Sequence, residues 1–215
     1  MTIQNLTTYT EVDPIASLTV TSSRASFIFA GTEQAYVYKD FGVNYFEGDF
    51  EVDLTFRYSL GSSMGYTALC LFSNQLGDPN VFTQSLGLIW NAGTVYVADI
   101  TTGNLDLLDG TINPNTDRYY TIRRVGLTCT VERYASLPRT TPAFTFSFTL
   151  NALEAFRYFQ VAAEYPGGAD PFTGYVEEVD LTVTTAAIEP GVPSIPRSSK
   201  FIASKLQSSK FIGSK

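Results

Sequence analysis

Two copies of a five-residue acidic segment are the residues of this chain best suited to chemistry. Glu-Val-Asp-Leu-Thr occurs at residues 51–55 and again at residues 178–182. On a β-strand the Glu and the Asp of each copy share one face, about 6–7 Å apart. A carboxylate pair at that spacing suits acid–base hydrolysis of a glycosidic bond. The alternative, which we favour, is a solvated strand face.

The residue types that are rare in the chain exclude several kinds of site. There is no histidine, so Ser–His–Asp triads, His-based proton transfer and His-ligated metals are excluded. Cys70 and Cys129 are too few for a four-thiolate zinc site. Each lies among apolar neighbours in a predicted strand, which favours buried free thiols. A disulfide would require the two strands to adjoin.

Oxygen-rich and aromatic loops offer two further kinds of site. The Asp78–Asn80 loop and Asp170 could supply oxygen ligands to Ca²⁺, although ordinary turn chemistry is the favoured explanation. Trp90, Tyr165, Asp170 and Phe172 are the glycan-binding candidates, because loop aromatics stack on sugars while carboxylates accept their hydrogen bonds. For these aromatics a place in the core is the favoured alternative. We predict no catalytic residue and no cofactor, with Ca²⁺ as a weak alternative.

Charge divides the 215-residue chain into an acidic body and a basic tail. Residues 1–189 carry 9 Lys+Arg and 21 Asp+Glu, a net charge of −12, whereas residues 190–215 carry a net charge of +5. An acidic body argues against nucleic-acid binding. No apolar stretch approaches the roughly 18 residues of a membrane-spanning helix, and residues 1–5 show no secretory signal.

The C-terminal tail is a tandem repeat. Ser-Ser-Lys-Phe-Ile-Ala-Ser-Lys at residues 198–205 recurs at residues 208–215 with seven of eight positions identical. Residues 187–197 place prolines three apart, as in a polyproline II spacer. We predict that each unit docks as an extended peptide and that two units raise the apparent affinity; the alternative is a disordered, solubilising end. The predicted partner-binding residues are Lys200, Phe201, Ile202, Lys205, Lys210, Phe211, Ile212 and Lys215.

Alternating hydrophobicity predicts β-strands through almost the whole body. The clearest strand is 49–58, followed by 144–150 and by 179–183, which comes after a bulge at Glu177–Glu178. Residues 151–156 suit a short helical turn. The other predicted strands are 17–22, 25–30, 34–39, 66–73, 85–91, 93–99, 118–125, 127–134 and 156–164. Short strands separated by turn residues predict an all-β antiparallel jelly-roll sandwich over residues 1–186, with an extended C-terminal tail.

Five segments resemble a known family. They are Y-T-E-V-D-P at 9–14, A-Y-V-Y-K-D-F-G at 35–42, F-E-G-D-F-E-V-D-L at 46–54, R-Y-Y-T-I-R-R at 118–124 and G-Y-V-E-E-V-D-L at 174–181. In that order they resemble the concanavalin A-like (laminin-G-like) jelly-roll domains of lectins and glucanases, of the kind found in phage virion proteins. Glucanases of this family carry a Glu-x-Asp-x-x-Glu motif, which the resemblance would imply here. In the two Glu-Val-Asp-Leu-Thr copies, however, Phe56 and Val183 stand where the last Glu of that motif would be.

The resemblance and the divided charge together predict a non-enzymatic virion structural protein, of the capsid-decoration or fibre type. Its jelly-roll head would be displayed outside, and its tail would anchor it to a capsid or other shell. Homo-oligomers and glycans are further expected partners, whereas nucleic acid and a membrane span are not expected. The alternatives are a lectin-like glycan-binding module and, less favoured, a glycosidase. The expected location is the virion, with the cytoplasm or cell surface as alternatives.

Overall fold

A computed structural model describes residues 2–29, 34–60, 66–77, 82–91, 93–99, 104–110, 112–150, 152–164 and 172–184. Within these residues the chain forms a short 3-10 helix, Leu6–Thr8, and fourteen β-strands. The strands are β1 (Thr10–Val12), β2 (Leu18–Val20), β3 (Arg24–Phe29), β4 (Tyr36–Asp40), β5 (Asp49–Leu60), β6 (Tyr66–Ser73), β7 (Ser85–Asn91), β8 (Thr94–Asp99), β9 (Asn104–Asp109), β10 (Arg118–Val125), β11 (Thr128–Tyr134), β12 (Pro142–Thr149), β13 (Tyr158–Glu164) and β14 (Phe172–Thr184).

The strands form two seven-stranded antiparallel sheets. Sheet A has the order β12-β11-β10-β5-β14-β3-β2, and sheet B has the order β1-β4-β13-β6-β7-β8-β9. Consecutive strands pair in β10-β11-β12 and in β6-β7-β8-β9, whereas β10-β5-β14-β3 and β1-β4-β13-β6 join strands from distant parts of the sequence, as in a jelly roll. The predicted all-β antiparallel sandwich is therefore confirmed.

The core forms where the apolar faces of the two sheets meet. Along β5 the side chains of Phe50, Val52, Leu54 and Phe56 are buried, and the residues between them point outward because side chains alternate along a strand. An aromatic cluster fills one part of the core, with the rings of Trp90 and Phe172 stacked 3.9 Å apart. Apolar residues face the core and polar residues face the outer side of the sheet, which explains the alternation of the sequence, although Asp53 and Thr55 are covered on that outer side as well.

Most of the predicted strands are confirmed with ends shifted by a few residues, but three expectations were wrong. The helical turn predicted at 151–156 is absent from the described residues 152–156, which have a bend at Ala152. Phe156 instead pairs with Phe46 of the 41–48 connection. Strands β1 and β9 were not predicted: β1 has only three residues, and β9 has no β-branched residue. Strand β14 begins at Phe172, within what was predicted to be a loop.

The predicted bulge in β14 is confirmed. The pairing of β14 with β5 shifts register between Glu177 and Asp180, and Glu178 has a φ of 54°. One extra residue therefore enters β14 at this point. Beyond the bulge the N-terminal segment takes the place of β3 beside β14, with Gln4 N donating to Val179 O at 2.8 Å.

Both cysteines are buried free thiols, as predicted. Cys70 lies on β6 in sheet B and Cys129 on β11 in sheet A, so the two strands do not adjoin. Burial raises the pKa of each thiol to about 12. Both groups are therefore protonated and unreactive near neutral pH.

A buried arginine holds one end of the sandwich together. Arg124 is fully buried at the end of β10. Its guanidinium donates to the carbonyl oxygens of Phe46, Gly48 and Glu154 and lies 4.6 Å from the centre of the Phe50 ring. The β4–β5 and β12–β13 connections are therefore fixed to the end of β10. Among the described residues, no helix has the length and apolar character that would let it cross a membrane.

Gly87 permits a close approach between β6 and β7. The pairing of these strands is irregular between Ala68 and Cys70. A Cβ atom on Gly87 would lie 2.1 Å from the carbonyl oxygen of Cys70 and 2.9 Å from Cα of Leu71. Because both of these atoms belong to the backbone, they cannot move aside without disturbing the sheet.

We predict that Gly87→Ala lowers the free energy of unfolding by about 1–3 kcal/mol, because the added methyl overpacks the sheet. The matched control is Gly110→Ala, whose Cβ meets nothing within 4 Å; it should change stability by less than about 1 kcal/mol. Chemical denaturation followed by tryptophan fluorescence measures both variants. Equal stability of the two would contradict this account of Gly87.

Candidate functional site

The outward side of sheet A carries a band of polar side chains, which we call the acidic face; Asp53, Thr55, Thr121 and Tyr134 within it are buried. It is built by the outward-pointing residues of five neighbouring strands, β3, β14, β5, β10 and β11. Its members are Arg24, Ser26, Glu51, Asp53, Thr55, Arg57, Tyr119, Thr121, Arg123, Thr130, Glu132, Tyr134, Tyr175, Glu177, Glu178, Asp180 and Thr182.

The two Glu-Val-Asp-Leu-Thr copies lie side by side at the centre of the acidic face. They belong to β5 and β14, which are antiparallel neighbours, and Asp53 pairs directly with Asp180. Thr182 of the second copy is opposite Glu51 of the first. At the other end of the motif Thr55 pairs with Glu177, because the bulge shifts the register, but its Oγ1 donates to Glu178 Oε2 at 3.1 Å. The two copies therefore contact each other along their whole length.

Asp53 is held by groups from two other elements. It is 8% exposed, and Thr121 Oγ1 on β10 donates to its Oδ1 atom. Arg139, from the β11–β12 connection, places Nη1 3.8 Å from Asp53 Oδ2. The Arg139 guanidinium also lies 5.9 Å from the centre of the Tyr119 ring. A charged group, an aromatic ring and a carboxylate therefore converge at this point.

Asp180 retains an unused acceptor. Its Oδ1 atom is buried and has no hydrogen-bond partner among the residues that the structure describes. Two nitrogens of Arg139, Nε and Nη2, are likewise buried and without a hydrogen bond in that part of the chain.

Ion pairs and tyrosines flank the central aspartates on both sides. On one side Arg123 pairs with Glu51 and lies 3.9 Å from Glu132, whose Oε2 accepts a hydrogen bond from Tyr134 Oη at 2.7 Å. Burial, with the neighbouring Glu132 carboxylate, raises the pKa of Tyr134 to about 12. The Tyr134 hydroxyl therefore stays protonated near neutral pH and acts as a donor.

The opposite side repeats this chemistry with different residues. Arg24 pairs with Glu177 at 2.5 Å and lies 4.1 Å from the centre of the Tyr175 ring. Tyr175 Oη donates to Asp117 Oδ1 at 2.9 Å, and Arg57 is 3.7 Å from the same oxygen. Burial raises the pKa of Tyr175. These networks hold the side chains of the face in fixed positions.

Carboxylates outnumber cations on this side of the molecule. The carboxylates on and around the acidic face are Glu51, Asp53, Asp117, Glu132, Glu177, Glu178 and Asp180, and the guanidinium groups are Arg24, Arg57, Arg123 and Arg139. The local charge is therefore negative. Within the described residues, no group of three or more His, Cys, Asp or Glu side chains could hold a metal ion.

Two of the four predicted glycan-binding residues are buried in the core. Trp90 is 1% exposed and Phe172 is 2% exposed, and their rings stack on each other inside the core. Neither ring has a face open to a sugar, so the favoured core alternative is correct for both. Tyr165, Asp170 and the Asp78–Asn80 loop lie outside the described residues. The eight predicted partner-binding residues of the tail also lie outside them.

The four carboxylates of the acidic copies share one face, as predicted for each copy alone. What the sequence did not indicate is that the copies pair with each other. It also did not single out Thr121, Arg139 and Tyr119, because they come from β10 and a connection distant in the sequence. The repeated five-residue motif was the available signal, since identical alternating segments can pair as neighbouring strands.

Comparison with known proteins gives a fold but no family. No protein-family model and no curated protein matches the sequence. Solved structures do match. The exoplasmic/lumenal domain of VIP36, in its Ca²⁺/Man3GlcNAc-bound form, superposes with a TM-score of 0.59 at 13% identity, covering 87% of this chain and 90% of that chain. The chain has the concanavalin A-like jelly-roll fold.

Two other structures extend the comparison. The alginate lyase from Klebsiella pneumoniae has a TM-score of 0.54 at 9% identity, with 75% of this chain and 82% of that chain covered. A functionally unknown protein from Saccharomyces cerevisiae has a TM-score of 0.56 at 10% identity, with 85% and 100% covered. At such identities the concanavalin A-like fold is shared, whereas activity is a matter for each site.

Proposed function

We propose that the acidic face binds a neutral glycan. The observation that carries the proposal is the pairing of Asp53 with Asp180, beside an Arg139 guanidinium and a Tyr119 ring. Sugar hydroxyls need donors and acceptors at close spacing, and a ring gives their apolar faces a stacking partner. Glu178 is exposed, and Asp180 and Tyr119 are partly exposed, so carboxylate acceptors and a ring are open to a ligand. The concanavalin A-like fold of a Man3GlcNAc-bound lectin domain supports the proposal by analogy.

The negative charge of the acidic face favours neutral glycans over anionic ones. A polyuronate such as alginate is anionic and would meet a surface on which carboxylates outnumber guanidinium groups. A neutral oligosaccharide does not meet this repulsion. The acidic face therefore favours neutral sugars, although the alginate lyase has the same fold.

Binding without cleavage fits the state of the carboxylates. Glu51 is paired with Arg123, Asp53 accepts a hydrogen bond from Thr121, and Glu178 accepts one from Thr55. A general acid or base must be free to exchange a proton with substrate. Since these side chains are engaged with the protein itself, we propose that the chain is a non-enzymatic binding module.

A glycan array with the purified chain tests this proposal. We predict binding to neutral sugars, weakened about 10-fold or more by D53N/D180N, because charge-assisted hydrogen bonds contribute about 1.5–3 kcal/mol each. The control is Glu11→Gln, which removes an exposed carboxylate from β1 in sheet B. Arrays run with Ca²⁺ and with a chelator report whether calcium contributes. No binding to any neutral sugar, or equal binding by both variants, would contradict the proposal.

The basic tail supports a second candidate function. We propose that the tail anchors the head to a larger assembly such as a capsid, with the chain acting as a virion decoration or fibre-type protein. The supporting observation is in the sequence: two near-identical Phe-Ile units with lysines follow a Pro-rich spacer and an acidic body. Repeated short units suit a repetitive protein lattice, because linked sites bind with increased avidity.

Deleting residues 190–215 tests the anchoring role. We predict that the truncated chain loses incorporation into the assembly while glycan binding by the head is unchanged. Sedimentation of assembled particles, followed by immunodetection of the chain, measures incorporation. The matched control replaces the same residues with a Gly/Ser segment of equal length. Incorporation of the deletion variant at the wild-type level would contradict an anchoring tail.

A further inference from the structure

The end of the sandwich tied by Arg124 exposes large apolar side chains. Val43, Tyr45, Val125, Leu127 and Leu153 are between 40% and 74% exposed. Val125 is the last residue of β10, and the others come from three connections: β4–β5, β10–β11 and β12–β13. Monomeric proteins seldom leave several large apolar residues exposed together, and such patches mark interaction sites.

The three connections share one end of the fold through fixed contacts. The Arg124 guanidinium reaches the carbonyl oxygens of Phe46 and Glu154, which belong to the first and third connections. Leu150 N donates to Leu127 O at 2.8 Å and joins the second connection to the third. We call the surface formed by Val43, Tyr45, Val125, Leu127 and Leu153 the apolar end.

Acidic groups lie beside the apolar end. Glu47 is exposed on the β4–β5 connection, and Asp49 is partly exposed at the start of β5. Asp49 Oδ1 accepts a hydrogen bond from Gly126 N at 2.7 Å, which places this carboxylate next to Val125 and Leu127. A ligand suited to this surface therefore combines apolar side chains with flanking positive charge.

The chain leaves the described fold at this same end. Thr184, the last residue of β14, pairs with Asp49. Thr184 and Thr182 also line a shallow cavity together with Val125 and Arg124. Strand β10, which ends at Val125, is two strands away from β14, a distance of about 10 Å. The segment that follows Thr184 therefore starts beside the apolar end.

The length and the sequence of that segment match the surface. Twenty-six residues separate Thr184 from Phe211. Eleven of them form the predicted polyproline II spacer, which would span about 34 Å, and the other fifteen can extend about 50 Å, enough to return to the apolar end. Each tail unit places Phe-Ile directly after a lysine, with a second lysine three residues beyond the Ile. This combination of an apolar pair and flanking cations is the complement of the apolar end with Glu47 and Asp49.

We propose that a Phe-Ile pair of the chain's own C-terminal tail docks on the apolar end, with its flanking lysines near Glu47 and Asp49. The linkage within one chain gives the pair a high effective concentration at this surface. Docking of one unit leaves the other unit for a partner, so the inference does not depend on either proposed function. It assigns an occupant to a surface that the fold leaves exposed.

Methyl NMR of the full chain tests the proposal. We predict that the Phe rings shift the methyl resonances of Val43, Val125, Leu127 and Leu153, and that these shifts disappear in F201S/I202S/F211S/I212S. The matched control is S198A/S199A/S208A/S209A, which keeps both apolar pairs and should retain the shifts. Because all substitutions lie in the tail, unchanged core resonances from Val52 and Leu54 verify that the head is folded.

Two results would overturn the proposal. One is identical methyl resonances at the apolar end in the wild type, the Phe-Ile variant and the control. The other is a set of shifts that weakens on dilution over about a hundredfold range, because docking within one chain is independent of concentration. Shifts that persist unchanged on dilution and are lost only in the Phe-Ile variant would support it.

Discussion

The inner faces of β5 and β14 are buried against sheet B, and this burial determines where the polar residues of both strands must point. Phe50, Val52, Leu54 and Phe56 fill the core, so the alternating residues of β5 face outward. The same holds for Val176, Val179 and Leu181 of β14. The acidic face is thus the outer side of a hydrophobic arrangement, and the burial of the inner residues determines which side chains it presents.

The bulge at Glu178 decides which residues of β14 share that face. Before the bulge Val176 pairs with Phe56, and after it Asp180 pairs with Asp53. If the first register continued without an extra residue, Asp180 would pair with Val52 and point into the core. The extra residue restores Asp180 to the outer side and places it opposite Asp53. A local irregularity of the backbone therefore assembles the centre of the candidate site.

The features that could be predicted from the sequence are those set by local pattern. One-sided burial produces the alternation of β5, and the consecutive Glu177 and Glu178 interrupt the alternation of β14, so both the strand and the bulge were predictable. The pairing of β5 with β14 is set by packing of distant segments, which a local pattern does not record. Phe172 shows the same limit: it follows a Pro-rich segment typical of a loop, yet its ring enters the core beside Trp90.

NMR titration of the isotopically labelled chain tests the role of the acidic face most directly. The titrant is the neutral oligosaccharide bound most strongly on the array. The account predicts that backbone amide shifts cluster at residues 51–55, 119–123 and 178–182, on three neighbouring strands of sheet A. Shifts confined to the connections between strands, or to sheet B, would contradict it and would move the binding site away from the paired aspartates.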